Sequence, residues 1–186
     1  MRKLAIISFA VLLFLSGCSD TKSEDKESMK KYESYIDDVT NNQGIESKII
    51  PFNYNLNVYK QKDDTYQYEL VISDPRTAMY SVQAIAVNPE VDSNTNIHPC
   101  LGLLGEDAKQ KFNLVPFQSN LEKNFFKGIY LEGVSEKSQF TLNVMVTWKD
   151  ASLTKDNRVY FNANFALEAD DTANGAKTGS ENENNE

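Results

Sequence analysis

The stretch Gln139-Phe140-Thr141-Leu142-Asn143-Val144-Met145-Val146-Thr147-Trp148 alternates without a break. Phe140, Leu142, Val144, Val146 and Trp148 fall on one side, and Gln139, Thr141, Asn143, Met145 and Thr147 on the other. A period of two sends successive side chains to opposite faces of an extended chain, which a helix does not do. The segment is a strand with one face in a core.

The same signature recurs outward from it. Lys149 to Asn157 is a turn, after which Val159, Phe161, Ala163 and Phe165 alternate with Tyr160, Asn162 and Asn164. Upstream, Tyr54, Leu56 and Val58 alternate with asparagines, and Lys60 to Asp64 is a polar turn. Tyr66, Tyr68, Leu70 and Ile72 follow in the pattern of a hairpin. Met79 to Val87 is a more apolar strand ended by Asn88-Pro89, and shorter ones are expected at Phe112–Val115 and Gly128–Val134. Seven short strands with no convincing helix between them predict an all-β, antiparallel β-sandwich of immunoglobulin-like type. A small β-barrel is the alternative. The inter-sheet disulfide of antibody domains is absent, because the chain has only two cysteines, Cys18 and Cys100.

Hydrophobic residues make up 40% of the 186, which excludes a wholly disordered chain. The formal charge of −8 argues against nucleic acid as a partner. That charge sits in the flanks. Residues 19–47 carry eight acids against four lysines, residues 168–186 six acids against one lysine, and the middle is nearly neutral. Residues 168–186 lack any large apolar side chain and read as a disordered acidic tail. Met29, Tyr32, Ile36 and Val39 recur at spacings of three and four, so residues 24–41 are expected to form a short amphipathic helix, capped by Ser23 and closed by Asn41-Asn42-Gln43-Gly44. It either packs on the domain or spaces it from a membrane.

The N-terminus is an address. Arg2 and Lys3 precede a run from Leu4 to Leu15 that is apolar apart from Ser8. As a helix it would span about 18 Å, short of the ~30 Å of bilayer hydrocarbon but suited to a signal peptide. Leu15-Ser16-Gly17-Cys18 follows and resembles the lipobox of bacterial lipoproteins at all four positions. The resemblance covers about the first twenty residues. It implies cleavage after a 1–17 signal peptide and a diacylglycerol on the Cys18 sulfur, giving a chain held at the extracytoplasmic face of the cell membrane. Two acyl chains suffice for stable attachment where one is marginal. Loss of Arg2 and Lys3 would leave the mature chain at −10. With its sulfur tied up, Cys18 cannot pair with Cys100, which is left as a small buried hydrophobe or a reactive thiol. Abundant Lys and Asn point to a Gram-positive source. The expected organisation is 1–17 signal peptide, 18–47 lipidated tether and helix, 48–167 β-sandwich and 168–186 tail.

Chemical motifs are sparse. His98-Pro99-Cys100 puts the single histidine near a cysteine, but zinc needs about four ligands and no second pair exists. Asp92-Ser93-Asn94-Thr95-Asn96 imitates the start of a calcium loop. It then fails at Ile97, where a glycine is needed, and at Leu103, where a glutamate belongs. There is no GxGxxG, P-loop or GxSxG. No cofactor, metal or catalytic residue is expected. Tyr59, Tyr80, Phe125, Phe126 and Tyr160 are the candidate binding surface. Exposed on a sandwich they would suit a glycan, peptide or envelope protein; paired across strands they would simply pack. The function expected is therefore a non-catalytic binding module tethered at the cell envelope. A small hydrolase or metal-dependent enzyme, and a solute-binding component of a transporter, are the alternatives.

Overall fold

The computed structural model describes residues 20–91, 93 and 96–167. The expected signal peptide 1–17, the expected lipidation site Cys18, the 168–186 tail, and Asp92, Asn94 and Thr95 of the calcium-loop likeness lie outside the described residues.

Helix α1 (Asp20–Asn41) comes first. Strands β1 (Asn53–Lys60), β2 (Tyr66–Ser73), β3 (Tyr80–Val87), β4 (Cys100–Leu101), β5 (Asn113–Leu114), β6 (Phe125–Phe126), β7 (Gly128–Ser135), β8 (Gln139–Lys149) and β9 (Asp156–Ala166) follow. One sheet has the order β1-β2-β7 and the other β4-β3-β8-β9, with every pairing in both antiparallel. The two ladders stay separate, which makes a sandwich and not a barrel. The chain crosses between sheets from β2 to β3 and from β7 to β8. These are the strand neighbours of an immunoglobulin-like Greek key, with strands A, B and E facing C′, C, F and G.

The alternating residues fill the space between the sheets. Leu56, Tyr68, Leu70, Ile72, Ile129 and Leu131 come from one side, and Val82, Ala84, Leu142, Val144, Val146, Phe161 and Phe165 from the other. Both hairpin turns are held by an aspartate. Asp63 Oδ1 accepts from Thr65 N and Oγ1, and Asp150 Oδ1 accepts from Ser152 N and Oγ. Such side-chain bonds offer the backbone an alternative to continuing the ladder.

The strand inventory needs one correction. Phe112–Val115 joins neither main sheet. Its Asn113–Leu114 pairs in parallel with Phe125–Phe126, and Leu114 bridges Met79. The fourth strand of the larger sheet is Cys100–Leu101, which pairs with Ile85 and Ala84. Two residues are too few to display a period of two, so no alternation announces it.

A second core lies on the outer face of the larger sheet. There α1 buries Tyr32, Tyr35 and Val39 against Ile85, Val87, Leu103 and Met145. The helix thus packs on the domain as a third layer, and Met145, on the strand face expected to be polar, is 0% exposed. The helix starts at Asp20, four residues before the expected start, which places Ser23 inside it and not at its N-terminus. At its other end Asn42 Nδ2 donates to Asp38 O at 2.7 Å, and Gly44 takes φ +77°, a conformation that favours glycine.

Candidate functional site

The outer face of the larger sheet is built in rows set by strand register. Gln83, Thr147 and Arg158 form one row, Ile85, Met145 and Tyr160 the next, and Lys149 and Asp156 lie at the open end. The helix crosses these rows from β9 towards β4. Asp38 meets Arg158 at 2.9 Å, the Tyr35 hydroxyl reaches Gln83 Oε1 at 2.9 Å and Thr147 Oγ1 at 2.8 Å, and the Tyr32 hydroxyl accepts from His98 N at 2.7 Å. Beside Tyr35 a space opens between the helix and the end of the sheet that carries Lys149 and Asp156. The space between them is closed on a third side by Ala108–Lys111, which takes in the end of the short 3-10 helix Gly105–Lys109.

The result is a cavity of about 610 Å³. Lys31, Lys109, Lys111, Lys149 and Arg158 line it, against one carboxylate, that of Asp156. Ser81, Gln110 and Asn157 add neutral hydrogen-bonding groups, and Trp148 forms part of the wall. Three of the cations are partnered: Lys149 with Asp156 at 2.9 Å, Arg158 with Asp38, and Lys109 with Glu106 at 3.3 Å. Among the described residues Lys31 and Lys111 form no ion pair. Burial against the protein pushes the Lys31 ammonium below its ordinary range; Asp156 pulls it back up and Lys149 pushes it further down. Ser81 sits at φ +49° where the β3–β8 register shifts, and its N–H donates to Asn113 Oδ1 at 3.0 Å. A strained bulge thus forms part of the cavity wall.

The five candidate aromatics do not share one surface. Tyr59 lies on the outer face of the three-stranded sheet, in register with Gln67 and Val134; the exposed Tyr130 is on the same face but in the row of Asn55 and Val71. Tyr80, opposite Lys149, meets Phe125 edge-to-face at 6.3 Å. Phe126 packs on the main core with its ring 5.3 Å from Phe112. Tyr160 is half-buried at the helix layer, where its hydroxyl accepts from Arg158 Nη1 at 3.1 Å.

His98 is 2% exposed, with Nε2 2.9 Å from Ser93 Oγ and its basicity lowered by burial. Burial, with Asp107 adding, pushes the Cys100 thiol up to about 11, the opposite of an activated nucleophile. No group of three His, Cys, Asp or Glu side chains among the described residues is arranged to hold a metal ion. No described helix is long and apolar enough to cross a membrane.

The basic cavity had no signature in the chain. Its five cations span positions 31 to 158, and only Lys109-Gln110-Lys111 is a local hint. The chain matches no protein-family model, no curated protein and no solved structure.

Proposed function

We propose that this chain is an extracytoplasmic lipoprotein, anchored through Cys18, that works as a non-catalytic binding module at the cell envelope. The observation that carries the reading is the join between α1 and the sandwich. The helix begins two residues after Cys18 and is built into the fold through Tyr32, Tyr35 and Val39. A lipid on Cys18 would hold a rigid body at the membrane, with the residues from Asp20 to Lys30 contributing about 17 Å of helical rise. A module held in this way meets partners at raised effective concentration without doing chemistry. The join also creates the concave, hydrogen-bonding cavity between helix and sheet, and the outer face of the smaller sheet stays open for a larger partner such as an envelope protein, peptide or glycan.

Two experiments test this reading. Replacing Cys18 with Ala and fractionating cells is expected to move the chain out of the membrane fraction; a variant that stays membrane-bound at full length defeats the anchoring. Crosslinking intact cells and purifying the chain is expected to recover envelope components attached near the cavity or near Tyr59 and Tyr130. Crosslinks confined to cytoplasmic proteins would defeat the localisation.

A further inference from the structure

We propose that the cavity between α1 and the open end of the larger sheet binds a multiply charged anion about the size of a sugar phosphate. The inference deepens the binding-module reading but does not depend on the lipid anchor.

The first argument is charge against background. The acids of the chain are concentrated in its flanks and the middle is nearly neutral, yet five basic side chains from three separate parts of the fold converge on one concavity with a single carboxylate in its wall. Bringing like charges together is unfavourable unless something answers them. Asp38, Asp156 and Glu106 answer three of the cations, through partly exposed pairs that contribute little. Lys31 and Lys111 remain. Burial is what lowers the basicity of Lys31; Asp156 and Glu27 oppose it, Lys149 adds to it, and the ammonium lies 6.0 Å from the Tyr35 ring, so the cost left at this position is one of lost hydration. An entering anion would lift that penalty.

The second argument is size and chemistry. A cavity of about 610 Å³ lies within the usual range for small-molecule sites and exceeds what one simple ion fills. Four of the five cations are lysines, which act as point charges and do not demand a planar, bidentate partner. The arginine is already engaged by Asp38 and Tyr160. Ser81, Gln110 and Asn157 are suited to hydroxyl groups next to the charge. Phosphate and carboxylate share this chemistry, as do soluble metabolites and lipid headgroups.

Trp148, the only tryptophan of the chain, belongs to the main core and borders the cavity, so calorimetry is the primary readout and its emission a secondary one. The full-length chain in detergent is titrated at low ionic strength with glucose 6-phosphate, tripolyphosphate and citrate, followed by Trp148 emission and by calorimetry. Saturable binding is expected. Lys31→Ala and Lys111→Ala should each weaken it about tenfold, the usual scale of a charge-assisted contact. Lys62→Ala, in the β1–β2 turn, should leave it unchanged. Binding restricted to the phosphates assigns a phosphate site, and equal binding of citrate assigns a site selective for charge alone; either supports the proposal. Sedimentation of the Cys18→Ala chain with phosphatidylglycerol vesicles separates the sources. Co-sedimentation lost in Lys31→Ala points to a headgroup, and binding of the soluble probes without it points to a soluble ligand. The proposal is overturned if no probe binds saturably at millimolar concentration and vesicles are not bound. It is equally overturned if Lys31→Ala and Lys111→Ala bind as the unmodified chain does. Circular dichroism verifies that both variants are folded. Neither overturning result touches the membrane-anchoring reading, which Cys18→Ala tests separately.

Discussion

The hydroxyl of Tyr35 lies 2.8 Å from Thr147 Oγ1, joining the C-terminal half of the helix to β8 of the larger sheet. The same hydroxyl donates to Gln83 Oε1. This contact is half-buried at the edge of the cavity, so its loss leaves Gln83 and Thr147 without that partner. Tyr35→Phe is expected to cost about 1 kcal/mol of unfolding free energy in urea denaturation. A double-mutant cycle with Thr147→Val should return a coupling of about 0.5 kcal/mol or more. Strict additivity would mean that the helix is not held there.

Met145 tests the third layer. Its strand alternation places it among polar residues, yet it is fully buried under α1. Met145→Ala should destabilise the domain by about 2–5 kcal/mol. Thr141→Ala, on the same strand face but beyond the second hydrophobic cluster, should change stability by less than about 1 kcal/mol. Similar costs at the two positions would remove the helix from the sheet.

Gly133 faces Tyr68 across β7 and β2, and a Cβ there would overlap the tyrosine ring and hydroxyl and press on Pro99. Gly133→Ala is expected to cost about 1–3 kcal/mol through overpacking. In a Tyr68→Leu background, where the ring is gone, the same change should cost less. An unchanged cost in both backgrounds would assign the penalty to the backbone alone.

Cys100 should be a slow thiol. Its acidity is displaced upward to about 11, chiefly by burial. A two-unit rise from an ordinary thiol leaves about a hundredfold less thiolate at pH 8. Iodoacetamide labelling of the Cys100 peptide, read by mass spectrometry, should therefore be slow in the native chain and fast in urea. The folded chain keeps a proton that the unfolded chain releases, so this group's contribution to stability persists below the free thiol's range and is lost as pH rises through about 11. Equal labelling in the two states would show an accessible thiol.

Alternation made the long strands legible, because the pleat converts a buried face into a spacing of two along the chain. Leu142, Val144 and Val146 announce their core directly, as do Tyr66, Tyr68 and Leu70 in the hairpin. Helical spacing likewise marked Tyr32 and Val39, although Tyr35 replaces Met29 in the buried set. The two-residue strand Cys100–Leu101 carried no period and was invisible. Met145 on its own looked like an irregularity in a polar face; it becomes intelligible only once α1 is seen lying over it.

Local patterns therefore determined the class of fold and the presence of the helix, and carry the lipobox resemblance at Cys18 on which the anchoring proposal rests, since each is written in neighbouring residues. Only the tertiary structure decided that the helix covers one sheet, that Tyr59 and Tyr160 lie on outer faces of different sheets, and that Lys31, Lys111 and Lys149 share a cavity. Those facts depend on which strands become neighbours and where the helix crosses them. Such contacts join residues as far apart as Tyr35 and Thr147, separated by 112 positions, and no spacing along the chain encodes them.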